Sequence, residues 1–271
     1  MSILIALIWA TGSRVYAQDN IFDAANAATD WEIFDMPGAA GPDAEMEMDT
    51  SAVGYDYKLA LHKSYKFYYA QMSGKLADDY PIEWRGDSCL KDGADHAVDL
   101  SGGFYDGGGF VKYNFPMAYT TTVLAWSTIR YYRTIVKLQE EKAIFDILRL
   151  VFKNRVVDYL YKSHIIYFEN KKRHAGEYLM KCHPEKGVFY VQVSDKTQDE
   201  NYWGRIEDFK MDRKSFKIDE NHKGTEPVAE AAAALAALSI IFANIESAFA
   251  KDLLMHAEEL YEELVWPMVS N

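Results

Sequence analysis

The chain has 271 residues, and 49% of them are hydrophobic, which is enough to build one large core. Its formal net charge of −12 argues against nucleic acid or an anionic membrane surface as a partner. Aromatic residues make up 14% of the chain, a share that suits a sugar-binding protein but that core packing explains equally well.

The first 17 residues have the pattern of a secretory signal peptide. A short apolar run extends from Ile3 to Ala10, and the small-residue site Val15-Tyr16-Ala17 follows it. The run is too short to span a bilayer, which takes about 20 apolar residues. Because this pattern is typical of a signal peptide, we predict a secreted, extracellular protein. The alternative is an apolar N-terminal helix, since no Lys or Arg precedes the run.

Residues 18–54 predict a flexible acidic linker. Between Asp19 and Asp49 there is no Lys or Arg while acidic residues recur, and Pro37-Gly38 and Gly41-Pro42 interrupt the segment.

Apolar spacing predicts four helices and one strand in the remainder of the chain. Pro116 is a typical first-turn residue, and the small side chains of an Ala-rich segment predict an inner helix that approaches its neighbours closely. The predicted helices run from Tyr55 to Met72, from Pro116 to about Leu138, from Glu226 to about Ile245 and from Ser247 to Trp266, and the predicted strand runs from Phe189 to Val193.

A loop dense in glycine and aspartate carries the first functional signal. Asp106 lies in the run Tyr105-Asp106-Gly107-Gly108-Gly109, next to several aromatic residues. Glycine lets backbone and carboxylate approach a ligand, and rings beside carboxylates are typical of carbohydrate sites, so Tyr105 is a candidate substrate-binding residue. The alternative is a structural loop with solvated acids.

This region resembles a known family, glycoside hydrolase family 9, the inverting endo-β-1,4-glucanases (cellulases). The similarity starts near Tyr55 and is strongest in WRGDSCLKDGADHAVDLSGGFYDGGGFVKYNFPMAYTTTVLAW, which ends at Trp126. It continues through VFYVQVSD (188–195), YWGR (202–205), FKID (216–219) and VAEAAAALAALSIIF (228–242). The resemblance implies an all-α fold, the N-terminal half of a six-hairpin α/α toroid with one short β-like excursion. Residues 55–271 would form part of the catalytic domain, and the partner would be a β-1,4-glucan or oligosaccharide.

The resemblance also marks a departure in the catalytic motif. Asp106 matches the carboxylate that helps to hold the attacking water, but Gly109 stands where the family has its general base, and Phe110 stands where it has a His. The family's general acid, a Glu, would lie beyond Asn271. General-base assistance is worth about 10²–10⁴-fold, so the resemblance implies a protein of impaired activity.

Two further residues are candidate substrate-binding groups by resemblance. His183 matches a family His at a helix end, and a helix-capping cation is the alternative. The similar segment around His164 does not lead into the family's next motif, so His183 is preferred. Trp203 matches a family tryptophan near the cleft, with an aromatic residue at the edge of the core as the alternative.

The family's calcium-binding loop is missing between Tyr261 and the acidic pair Glu262 and Glu263, which would be remnants of that site. Because Ca²⁺ needs six to eight oxygen ligands, we predict no tight calcium and no other cofactor. Cys89 and Cys182 can pair in a secreted chain, although two buried thiols fit the family positions better.

Two main functional interpretations follow, and a third concerns the identity of the base. One is an endo-β-1,4-glucanase, and the other is a catalytically inactive glucan-binding derivative, a truncated splice product or an incomplete gene model. A third would use Asp95 or Asp99 as a substitute base. Half a barrel would also leave an apolar wall exposed, which predicts possible self-association through that face.

Overall fold

The computed structural model describes residues 54–78, 80–149, 175–243 and 245–265. The predicted signal peptide, the linker except Gly54, and the segment around His164 lie outside the described residues. The described helices are α1 (Tyr57–Gln71), α2 (Asn114–Lys137), α3 (Glu141–Arg149), α4 (Ala175–Lys181), α5 (Lys196–Glu200), α6 (Thr225–Phe242) and α7 (Ser247–Leu260). The described strands are β1 (Lys112–Tyr113), β2 (Phe189–Val193) and β3 (Ser215–Ile218).

The core is built around the Ala-rich helix α6, which packs against α2 on one side and α7 on the other. Ala231, Ala234 and Leu235 on α6 are fully buried. Small side chains let the helix axes approach closely, and the leucine fills the space that remains. The predicted inner helix is thus confirmed.

Local capping explains where the predicted helices begin. Helix α1 starts at Tyr57 because the Asp56 carboxylate accepts a hydrogen bond from the backbone N–H of Leu59 at 2.8 Å. Helix α2 begins two residues before Pro116, which therefore lies in the first turn, where its missing N–H costs nothing. Helix α7 ends at Leu260, earlier than predicted, and 261–265 form a wider π-helical turn.

The β-like excursion is a three-stranded antiparallel sheet with the order β1-β2-β3. Strand β2 matches its predicted bounds. Lys112 of β1 pairs with Val193, and Phe189 pairs with Ile218 of β3. Because β1 follows the glycine loop and β2 leads into α5, the sheet brings that loop beside residues 196–209, which are far from it in sequence.

Two apolar helices, α6 and α2, bear on whether the chain contacts a membrane or another protein. Helix α6 is long and apolar enough to cross a bilayer by length and composition, but 67% of that stretch is buried inside the protein, as in a core helix. Helix α2 carries an exposed apolar stripe at helical spacing: Phe115 (45% exposed), Tyr119 (59%), Val123 (42%) and Trp126 (39%).

Candidate functional site

The glycine loop is fastened to the C-terminal end of α1. The backbone N–H of Tyr105 donates to the carbonyl of Gln71 at 2.8 Å, and the N–H of Ser73 donates to the carbonyl of Gly103 at 2.9 Å. Gly103 has a φ of +74°, and a Cβ there would lie 2.7 Å from the buried ring of Tyr178. The loop can therefore lie this close to the core only with glycine at position 103.

The loop forms one wall of a cavity of about 210 Å³ between α1, α2 and α3. Its aromatic lining consists of Phe67, Tyr68, Phe104, Tyr105 and Tyr113, and its polar lining includes Gln71, Asp106, Thr120 and Thr121. Aromatic faces with a few polar groups suit a sugar ring, which has apolar faces and a polar rim.

Asp106 is the exposed carboxylate of this cavity. Its Oδ1 accepts the N–H of Gly107 at 2.8 Å, and its backbone N–H donates to the carbonyl of Val111 at 3.0 Å. These bonds hold the turn closed around the glycines, so the carboxylate is placed by the backbone and stays open to solvent.

Tyr105 borders the cavity but is itself 5% exposed. Its hydroxyl forms a 2.8 Å hydrogen bond with Ser88, and the guanidinium groups of Arg85 and Arg213 lie 5.9 and 5.8 Å from its ring centre. Burial, together with the nearby Cys89 thiol, raises the pKa of Tyr105 well above its usual value. Its hydroxyl is therefore neutral, and the ring anchors the loop.

The space beside Gly109 is filled by a carboxylate from α5. A Cβ on residue 109 would overlap Oδ2 of Asp199 and lie 3.0 Å from its Cγ. The other oxygen, Oδ1, accepts the N–H of Phe110 at 2.5 Å. Sequence reasoning missed Asp199, since nothing local connects it to a loop 90 residues earlier; only the pairing of β1 with β2 brings the two together.

Phe110 joins the same two segments through ring contacts. Its ring centre lies 6.3 Å from Tyr105, 5.7 Å from Tyr202 and 5.9 Å from Phe209. An apolar ring at this position thus packs the glycine loop against residues 202–209, a role that a charged imidazole would fill less well.

The other carboxylates of the region hold structure together. Buried Asp92 pairs with Lys112 at 2.7 Å and with Arg213 at 2.8 Å. Asp95 accepts two bonds from Ser215, at 2.7 Å from the backbone N–H and 2.9 Å from the hydroxyl. Burial removes much of the water around Lys112, and this lowers its pKa despite the neighbouring Asp92.

Asp99 has a similar anchoring role. It pairs with Lys181 at 2.7 Å and accepts the N–H and hydroxyl of Ser101 at 2.9 and 2.6 Å. Although burial raises the pKa of Asp99, the hydrogen bonds from Lys181 and Ser101 hold it below its usual value. Asp95 and Asp99 both have partners, so neither is free to replace a base at Gly109.

His183 follows α4 and is 2% exposed. Its Nδ1 lies 2.8 Å from Nδ1 of His256 on α7, and its Nε2 has no partner among the described residues. Burial, then the neighbouring His256, lowers the pKa of His183 to about 4. The imidazole is therefore neutral at pH 7, and the alternative of a helix-capping cation is wrong. His183 does not line the described cavity.

Trp203 lies in the loop after α5 and is fully exposed, so the alternative of an aromatic residue at the edge of the core is wrong. Nearby, Arg205 donates to the carbonyl of Trp84 at 2.9 Å, and Trp84 is 64% exposed. Trp203 is not in contact with the cavity but offers a free indole face.

Both thiols of the chain are free. Cys182 is fully buried, and this burial raises its pKa to about 12, whereas Cys89 is only half-buried. The thiols are therefore unpaired as predicted, but only Cys182 is buried as predicted.

Of the two residues proposed as calcium-site remnants, Glu263 forms an ion pair. Its carboxylate lies 3.2 Å from the ammonium group of Lys186, which also binds Glu259 at 3.2 Å. Across the described ranges, no group of three or more His, Cys, Asp or Glu residues could hold an ion.

Sequence comparison matches most of this chain to one protein family. Residues 57–267 match the model of glycosyl hydrolase family 9. Endoglucanase 15 of Arabidopsis thaliana is 42% identical over 76% of this chain and 37% of its own length.

Solved structures show the same similarity. The termite endoglucanase of Nasutitermes takasagoensis has a TM-score of 0.67 and 35% identity, and the match covers 80% of this chain and 46% of the termite chain. Endoglucanase CelQ of Clostridium thermocellum, solved with cellotriose, has a TM-score of 0.58 and 29% identity, with 77% of this chain and 28% of CelQ covered. The chain thus spans less than half the length of these relatives. With the α/α toroid fold and the matched family model, the chain belongs to glycosyl hydrolase family 9.

Proposed function

We propose that the chain binds β-1,4-glucan at the aromatic cavity beside the glycine loop and hydrolyses it poorly. The observation that carries this proposal is the exposed carboxylate of Asp106 in an aromatic-lined cavity, three residues before a glycine in the base position. Its relatives are endoglucanases, and CelQ has been solved with cellotriose and with cellotetraose.

The proposed weakness follows from the chemistry of inversion. An inverting glycosidase needs one carboxyl group that protonates the leaving oxygen and one that accepts a proton from water, roughly 6.5–9.5 Å apart. Gly109 supplies no acceptor of its own. Loss of general-base assistance predicts turnover about 10²–10⁴-fold below that of a family member with the complete motif.

Three residues have assigned roles in this proposal. Asp106 holds water or a sugar hydroxyl, Tyr105 borders one sugar face, and Trp203 stacks on a sugar unit further along the glucan. His183, the fourth candidate, receives no role here, because its Nε2 is buried and it lies outside the cavity lining.

Binding and turnover are measured separately to test the proposal. We expect calorimetric titration with cellotetraose to show binding that Trp203→Ala weakens several-fold, while the release of reducing ends from carboxymethylcellulose stays low. The control is Leu90→Ala, at an exposed site that is not part of the cavity lining. Absence of cellotetraose binding would refute the binding site. Turnover equal to that of a complete family enzyme, and lost in Asp106→Ala, would refute the impairment.

Secretion and the lack of a calcium requirement belong to the same proposal. The exported protein should begin at Gln18 when its N-terminus is sequenced, and a protein retaining Met1 would contradict the signal peptide. Its thermal unfolding midpoint should be the same with calcium and with a chelator, whereas an increase with calcium would reveal a site.

A further inference from the structure

The carboxylate of Asp199 lies against Gly109, the residue in the base position, although it comes from a different segment. Its Oδ2 lies where the side chain of residue 109 would begin, and its Oδ1 is held by the Phe110 N–H at 2.5 Å. Among the described residues, none donates a hydrogen bond to Oδ2. One oxygen is thus fixed in place while the other is available as an acceptor.

We propose that Asp199 is the general base for the residual hydrolysis by this chain. The proposal rests on the proposed function, since it assumes a glucan in the neighbouring cavity. Asp95 and Asp99 are bound to Ser215 and Lys181, so they do not compete for the role. Asp106 uses one oxygen to hold the turn at Gly107, which suits it to orient water.

The chemical step balances with water as the only co-reactant. The water oxygen forms a bond to the anomeric carbon while the bond from that carbon to its leaving group breaks, and the leaving group takes the electron pair. One water proton passes to Oδ2 of Asp199, and the anomeric configuration inverts. A fluoride leaving group needs no proton donor, so β-cellobiosyl fluoride reports on the base alone.

The first test is fluoride release from β-cellobiosyl fluoride by the wild-type chain and Asp199→Asn. Asparagine keeps an oxygen for the Phe110 N–H but replaces Oδ2 with an amide that cannot accept the proton. We expect the rate to fall at least tenfold, with cellotetraose affinity unchanged. The matched control, Glu200→Gln, alters the adjacent exposed carboxylate of α5 and should keep the full rate.

The second test uses azide as a substitute nucleophile. Removing the side chain in Asp199→Ala opens the space beside Gly109, so azide should restore fluoride release and yield α-cellobiosyl azide. In the wild-type chain Asp199 fills this space and azide should add little.

The outcomes separate this proposal from the function on which it rests. If the wild-type chain binds cellotetraose but releases fluoride no faster than buffer, or if Asp199→Asn keeps the wild-type rate, Asp199 is not the base and glucan binding stands. Azide that fails to act on an Asp199→Ala variant able to bind cellotetraose would also overturn the assignment. If the wild-type chain binds no cellotetraose, the proposed function itself fails.

Discussion

Two glycines of the same loop differ in what surrounds them. At Gly103 the backbone is left-handed and the ring of Tyr178 occupies the place of a side chain. At Gly107 a Cβ would meet nothing within 4 Å, and the backbone is not left-handed. A methyl group added at residue 103 would therefore crowd the Tyr178 ring, whereas one added at residue 107 would contact almost nothing.

We expect Gly103→Ala to lower the free energy of unfolding by about 1–3 kcal/mol, because the methyl group adds both backbone strain and overlap with Tyr178. Gly107→Ala is the control and should change stability by less than about 0.5 kcal/mol. Urea unfolding followed by fluorescence measures both. Equal effects of the two substitutions would show that the ring does not constrain the loop.

The contact between Gly109 and Asp199 can be measured as a coupling. Gly109→Ala should destabilise the chain by about 0.5–1.5 kcal/mol, since the methyl group displaces the carboxylate and breaks its hydrogen bond to Phe110. In an Asp199→Ala background the same methyl group meets no carboxylate, so its penalty should vanish. A penalty that persists in the double variant would place Asp199 elsewhere.

At the scale of elements, the pair His183–His256 connects the end of α4 to the middle of α7. The two Nδ1 atoms lie 2.8 Å apart, so one imidazole donates and the other accepts, and the pair is stable only if at least one ring is neutral. Glu259 and Lys186 are the charged groups that also act on His183. Protonation of both rings would place two positive charges in contact.

This pair predicts a loss of stability in mild acid. The folded pKa of His183 is about 4, below the unfolded value near 6.5, so between these values the unfolded chain binds more protons. Its contribution to stability is complete above about pH 6.5 and falls by at most about 1.4 kcal/mol per pH unit as the pH drops towards 4. Urea unfolding from pH 7 to pH 4.5 should show a shallower decline for His183→Gln. Identical slopes for variant and wild type would contradict the lowered pKa.

At the scale of the whole molecule, the exposed stripe on α2 is the feature that affects behaviour in solution. Phe115, Tyr119, Val123 and Trp126 present a continuous apolar face on a core helix. Contiguous exposed apolar surface of this kind commonly marks an interface.

We expect the purified chain to self-associate through this stripe. Sedimentation velocity should show a concentration-dependent increase in sedimentation coefficient, and Tyr119→Glu with Val123→Glu should shift the protein towards the monomer. Leu90→Glu is the control, because Leu90 is equally exposed but lies outside the stripe. A wild-type chain that stays monomeric at all concentrations would leave the stripe without this role.

The elements that local rules govern were predictable. Asp56 caps α1, Pro116 lies in the first turn of α2, and alternation marks β2, so bounds agreed within a few residues. Family motifs likewise placed Asp106 and Gly109 in one loop. These features depend on neighbours within a few residues, and that information is local in the sequence.

The environment of each site residue was decided by tertiary contacts. The sequence by itself determined the family, the Ala-rich core helix and the absence of a carboxylate on residue 109. Only the tertiary structure decided that His183 is neutral beside His256, that Trp203 faces solvent, and that Asp199 fills the space beside Gly109. The physical reason is the antiparallel pairing of β1 with β2, which brings residues 109 and 199 into contact across a distance that no local pattern records.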